Sequence, residues 1–164
     1  GQDPEHGEGV GFLACLDATK TGDITKTGMI WSFKGINRTI STVSIDPDTG
    51  LLFIADFSGF LYCLDAETGQ HYWTHDMKAH MWGSTLVADG KVYVGDEDGD
   101  FLILAATKEK RVISETNLGA PIYSTPIVAN GVLYVGTQTH LYAIHDEARA
   151  QLTTDQPATI QIKP

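Results

Sequence analysis

At 164 residues the chain is long enough to bury a sizeable core, and its 42% hydrophobic content is that of a globular protein. No run approaches the ~20 apolar residues that a membrane-spanning helix needs. A formal charge of −10, with 11 scattered basic residues, argues against a nucleic-acid surface, which requires clustered Lys and Arg.

In chain order, residues 1–10 read as a Gly- and charge-rich loop belonging to a truncated module. Residues 11–33 supply two strands, 12–17 and 29–33, so the chain is expected to begin inside a module. A full four-stranded module follows over 34–76, with strands at 41–46, 51–56, 60–65 and 71–75. Its joints are Pro47-Asp48-Thr49-Gly50, Ser58-Gly59 and Ala66-Glu67-Thr68-Gly69. Residues 77–116 repeat the pattern at 84–88, 91–95, 100–105 and 111–116, with Asp89-Gly90 and Asp98-Gly99 as turns. Residues 117–145 give three strands, 124–129, 132–136 and 140–144. The polar tail 146–164 holds a candidate closing strand at 159–162. Val, Ile, Tyr and Phe fill the strands while Gly, Asp, Asn and Pro fill the joints, which is the hairpin signature.

The modules are copies of one another. Ser84-Thr85-Leu86-Val87-Ala88-Asp89-Gly90 is answered by Ser124-Thr125-Pro126-Ile127-Val128-Ala129-Asn130-Gly131, and a looser copy begins at Ser41-Thr42. Leu64, Leu104 and Ile144 recur at intervals of forty. Four-stranded units of ~40–45 residues without helices predict an all-β, partial β-propeller of antiparallel blades, about three and a half of them. Cys15 and Cys63 hold the same place in two modules, too far apart for the ~5.5 Å Cα separation of a disulfide. They read as two buried free thiols.

At Leu64-Asp65-Ala66-Glu67-Thr68-Gly69-Gln70-His71-Tyr72-Trp73 the sequence resembles the repeat of pyrroloquinoline-quinone-like (PQQ-like) propellers. Gly69 makes the turn, and Trp73 four residues later is expected to dock on the neighbouring blade. An earlier copy, Asp17-Ala18-Thr19-Lys20-Thr21-Gly22, is stretched by an insertion before Trp31. A later copy is degraded, with Ala105, Glu109 and Ile113 at the aspartate, glycine and tryptophan places. The structural positions of the repeat are thus Trp31, Trp73, Gly69 and the serines Ser41, Ser84 and Ser124. The resemblance covers roughly residues 11–145 and looks most like the C-terminal part of a larger bacterial propeller. It implies a periplasmic or secreted location. The family includes quinoprotein dehydrogenases and many cofactor-free propellers, among them the lipoprotein scaffold of outer-membrane protein assembly.

The chemistry-bearing residues are few. Asp96-Glu97-Asp98-Gly99-Asp100 suggests a calcium loop, but Thr107 stands where an EF-hand needs its glutamate and the segment lies between strands. It reads as a solvated acidic hairpin. His71 and His75 share a strand face at roughly 13 Å, too far for one zinc. His140 and His145 bracket another strand, and no metal site is expected. Loops 34–40, 77–83 and 117–123 should enter the inner strands, and their tips bring Asn37, Arg38, His80, Trp82 and Tyr123 towards one channel face. An aromatic set with an Arg and an Asn suits a small or peptidic ligand; the alternative is ordinary inter-blade contact. No catalytic residue is assigned. The sequence therefore points to a non-catalytic scaffold for ligand or protein binding. PQQ with calcium is expected only in a complete parent propeller, as part of a quinoprotein dehydrogenase. A third reading is a homo-oligomer that closes a propeller from two arcs through open blade edges.

Overall fold

A computed structural model describes residues 10–145, which form strands, turns and loops without a helix. Thirteen strands are found among them. β1 (Leu13–Leu16) and β2 (Met29–Phe33) make a two-stranded sheet. β3 (Ser44–Ile45), β4 (Leu51–Ala55), β5 (Phe60–Asp65) and β6 (His71–Asp76) make a four-stranded meander, as do β7 (Leu86–Ala88), β8 (Lys91–Gly95), β9 (Asp100–Ala105) and β10 (Val112–Asn117). β11 (Ile127–Ala129), β12 (Val132–Gly136) and β13 (Leu141–His145) make a three-stranded sheet. Each pairing is antiparallel between chain neighbours, as in the blades of a propeller. The candidate strand at 159–162 lies outside the described residues.

The sheets stack face to face because period-2 alternation gives each strand two apolar faces. β4 is buried along its whole length. Its Phe53 and Ala55, with Leu61, Cys63 and Trp73, meet Val92, Val94, Leu102 and Leu104 of the next sheet. Its Leu52 and Ile54, with Tyr62 and Leu64, meet Leu13, Trp31 and Phe33 of the sheet before. Tyr93 and Phe101 in turn meet Ile122 and Val135. Burial of each Leu- or Phe-sized side chain contributes about 1.5–3 kcal/mol, so these interlayer clusters hold the arc together. The hairpins at Asp89-Gly90 and Asn130-Gly131 put both central residues at positive φ, 52° and 64°, and 52° and 76°. That is the primed two-residue turn whose twist matches the strands it joins.

The repeat tryptophans join successive blades. Trp31 donates its indole N–H to the Ala66 carbonyl at 3.0 Å, and Trp73 does the same to the Thr107 carbonyl at 3.0 Å. Gly69 lies under the Trp31 ring: it holds φ +73°, and a Cβ there would come within 2.6 Å of the indole. Both requirements explain a glycine at this point in the turn.

The inner strands are shorter than the sequence suggests. The 41–46, 84–88 and 124–129 segments enter their own sheets only at Ser44, Leu86 and Ile127. The residues ahead of them bond to the next blade: Ser41 Oγ donates to the Gly83 carbonyl at 2.7 Å, Ser84 Oγ accepts from Thr42 N at 2.8 Å, and Ser84 N donates to Thr125 Oγ1 at 2.9 Å. Ser124 instead donates to the Gly136 carbonyl of its own sheet. Cys63 is fully buried and burial pushes its thiol up to about 12, whereas Cys15 is only half-buried because its sheet has two strands.

Candidate functional site: an aromatic ladder on the loop end

The strand-4-to-strand-1 loops and the β4–β5, β8–β9 and β12–β13 turns sit at the same end of the blades. Equivalent main-chain bonds tie them together: Phe57 N to the Arg38 carbonyl, Glu97 N to the His80 carbonyl, and Gln138 N to the Pro121 carbonyl, at 2.8, 3.0 and 2.8 Å. A loop from one blade junction is thereby fixed to the turn of the following blade. Side chains projecting from these loops meet in a row.

The row begins at Arg38, which is 4% exposed and sets its guanidinium carbon 4.2 Å from the Phe57 ring centroid. Phe57 packs at 4.5 Å on His80 and edge-on, at 87° and 4.8 Å, to Trp82. Trp82 donates its indole N–H to Glu97 Oε2 at 2.9 Å and meets Tyr123 edge-on at 5.8 Å. Tyr123 ends the row 47% exposed. Burial therefore falls along the row from the cation to the phenol. Edge-to-face ring pairs and a cation over a ring each contribute about 0.5–2 kcal/mol, so the ladder is rigid before anything binds.

Four of the five residues singled out from the sequence, Arg38, His80, Trp82 and Tyr123, stand in this row. Asn37 does not: its main-chain N and Nδ2 both donate to Asp56 Oδ2, at 3.2 and 3.0 Å, so it fastens a blade junction. Phe57 and Glu97 also belong to the ladder and are not among the residues singled out from the sequence. Their signal was positional, since each follows the aspartate of a strand-2-to-strand-3 turn, at the end where the inter-blade loops arrive.

Those aspartates are not solvated. Asp56 and Asp96 are both fully buried, which corrects the acidic hairpin expected at 96–100. Asp56 Oδ1 accepts from Phe60 N at 3.0 Å, and Oδ2 accepts from Asn37 and from the Tyr62 hydroxyl at 2.7 Å. Burial and the Asp56 bond push the Tyr62 phenol well above its ordinary value. Asp96 Oδ1 accepts from Asp98 N and Asp100 N at 3.1 and 2.9 Å, while its Oδ2 has no partner among the described residues. Burial pushes the Asp96 carboxyl up to about 6. Two other histidines have local partners: His71 stacks on Phe33 and bonds Thr74, and His140 bonds Thr139.

A calcium ion takes six to eight oxygens. The ladder offers the Glu97 carboxylate, one oxygen of which is held by Trp82, and the two nearby aspartates spend theirs on the fold or keep them buried. The ladder and these two aspartates do not supply the oxygen set of a calcium site. The ladder presents aromatic faces and one carboxylate in a row that is closed at one end by the buried Arg38.

Fold and ladder together define a propeller-type, all-β repeat protein. Residues 25–112 and, overlapping by more than a repeat, 59–153 match the family described as outer membrane protein assembly factor BamB, and the chain belongs to that family of PQQ-like repeats. An outer membrane protein assembly factor BamB of Nitrosomonas eutropha is 27% identical over 90 residues, 55% of this chain and 22% of that relative. The crystal structure of BamB from Moraxella catarrhalis superposes with a TM-score of 0.67 at 21% identity, over 82% of this chain and 40% of that one. A mitotic checkpoint complex structure shares the fold at 0.61 and 12% identity, over 76% of this chain and 42% of its own. The chain thus spans about a fifth to two-fifths of the proteins it resembles.

Proposed function

We propose that the chain is a non-catalytic propeller scaffold whose loop end binds a polypeptide partner, with the Arg38–Phe57–His80–Trp82–Glu97–Tyr123 ladder as the contact row. The observation that carries this reading is the half-exposed Tyr123 backed by Trp82, itself fixed by Glu97. Trp and Tyr on a preorganised support are among the residues that dominate binding energy at protein interfaces. Relatives named for outer membrane protein assembly suggest unfolded outer-membrane protein segments as ligand and the periplasm as location. The test uses fluorescently labelled peptides from the strands of an unfolded outer-membrane β-barrel protein, titrated with the chain. Saturable binding that Trp82→Ala or Tyr123→Ala weakens at least tenfold is expected. Binding that both variants leave unchanged overturns the reading.

A second reading concerns the two end sheets. Phe12, Leu16 and Ile30 at one end, and Ile127 and Leu141 at the other, are each more than half exposed. Ile127 and Tyr134 occupy the places that Leu86 and Tyr93 hold one repeat earlier, where they pack on the following sheet. A second copy presenting its β1–β2 sheet would offer a matching apolar surface. Head-to-tail pairing of two arcs is the assembly this suggests.

A further inference from the structure

Asp56 and Asp96 are the same position in successive repeats. Each follows the strand before its turn and is fully buried; Asp56 Oδ1 accepts the Phe60 amide, and Asp96 Oδ1 accepts the Asp98 and Asp100 amides. They differ in what meets Oδ2. Asp56 Oδ2 receives the Asn37 side chain and the Tyr62 hydroxyl. At the next blade the corresponding loop residue is Ala79, as the close backbone approaches show: a Cβ on Gly11 would meet the Asn37 carbonyl at 2.0 Å, and one on Gly59 the Ala79 carbonyl at 2.4 Å. Tyr62 is replaced by Leu102, which stands opposite Val94 as Tyr62 stands opposite Ile54. Both donors are lost, and Asp96 Oδ2 is left bare in the interior. A bare buried carboxylate oxygen is costly when ionised and much less so when protonated.

Asp96 is also wired to the ladder. Its carbonyl accepts from Ile122 N at 2.8 Å, one residue before Tyr123. Its neighbour Glu97 accepts a hydrogen bond from the Trp82 indole N–H on its side chain and donates its main-chain N–H to the His80 carbonyl. We propose that Asp96 is a proton-operated positioning residue for the ladder: the neutral carboxyl seats the 96–99 turn, and ionisation loosens the Glu97–Trp82 arm and the Ile122–Tyr123 step that the turn carries.

The groups around Asp96 favour this direction. On its own turn Asp100 and Asp98 oppose its ionisation, while the Glu97 carboxylate is turned to the Trp82 indole. The loop before β7 brings His80, whose ring lies on Phe57, and the loop before β11 brings Ala120 and Ile122, which carry no charge. From β10, Asn117 binds the Asp100 carboxylate and the Asp98 carbonyl. The device belongs to the free protein and does not depend on whether the loop end binds a polypeptide.

The experiment follows the Trp82 indole N–H signal, assigned by its loss in Trp82→Phe, in nuclear magnetic resonance spectra of the full chain between pH 4.5 and 8. The signal is expected to shift with a midpoint near 6. Asp96→Asn should abolish the shift and hold the low-pH position. Ala79→Asn, which restores the donor that Asn37 gives Asp56, should lower the midpoint by at least one unit even if Asp96→Asn fails to fold. His80→Gln should leave the midpoint in place. A midpoint that survives Asp96→Asn, stays put in Ala79→Asn, or vanishes in His80→Gln overturns the proposal.

Discussion

Asp96 and Gly69 show how single atoms decide local energetics in this chain. The Asp96 carboxyl is raised by burial to about 6, above the ordinary ~4 of an unfolded aspartate. A raised folded value means that the contribution is fully present below pH ~4 and is lost as pH climbs through ~6. Asp96→Asn should therefore stabilise the chain by about 1–3 kcal/mol at pH 7.5 and by little at pH 4, read by urea denaturation at both. Asp56→Asn, which disturbs a satisfied carboxylate, should destabilise at pH 7.5. Gly69 and Gly50 share positive φ, +73° and +68°, but only Gly69 has the Trp31 ring against it. Gly50→Ala should cost about 1 kcal/mol from backbone strain, and Gly69→Ala clearly more, in the same unfolding assay.

At the level of elements, the tryptophan bridges are what join blade to blade. Trp73 is buried, tilts against Phe53 at 5.8 Å and bonds the following turn through Thr107. Trp73→Ala should cost about 3–5 kcal/mol, and Trp73→Phe less, with the hydrogen bond alone accounting for about 1. Thermal unfolding of the two variants checks both. This bridge was legible in the sequence because a turn glycine and a tryptophan four residues later are local signals. Strand order and the Asp-Gly and Asn-Gly hairpins were legible for the same reason. The start of each inner strand was not: Ser41 and Ser84 alternate like strand residues, but they bond to the neighbouring blade some forty positions away. Ladder members on loop tips, Trp82 and Tyr123, could be picked out by residue type. Phe57 and Glu97 could not, because a two-residue turn carries no mark of which end of a blade it faces. The burial of Asp96 was hidden too, since its neighbours in sequence are acidic, while the loop residues that close over its turn, Ala120 and Ile122, are apolar and distant in sequence.

For the whole molecule, the arc presents two different surfaces: a loop end with a fixed aromatic row, and end sheets with exposed apolar side chains. Head-to-tail pairing through the end sheets would give a dimer by multi-angle light scattering at tens of micromolar, and Leu141→Asp should return it to monomer. A monomer at that concentration removes the paired-arc reading and leaves the loop-end reading untouched. The donor set of the ladder leads us to expect no shift in melting temperature on adding pyrroloquinoline quinone with calcium. A stabilisation of several degrees would mean that quinone-binding groups exist outside the residues described. The loop-end claim is tested most directly by hydrogen–deuterium exchange of the chain with and without a bound outer-membrane protein peptide. Protection should appear at residues 57, 80–82, 97 and 121–123. Protection confined to β11–β13, with those loops unchanged, would contradict the ladder as the binding surface.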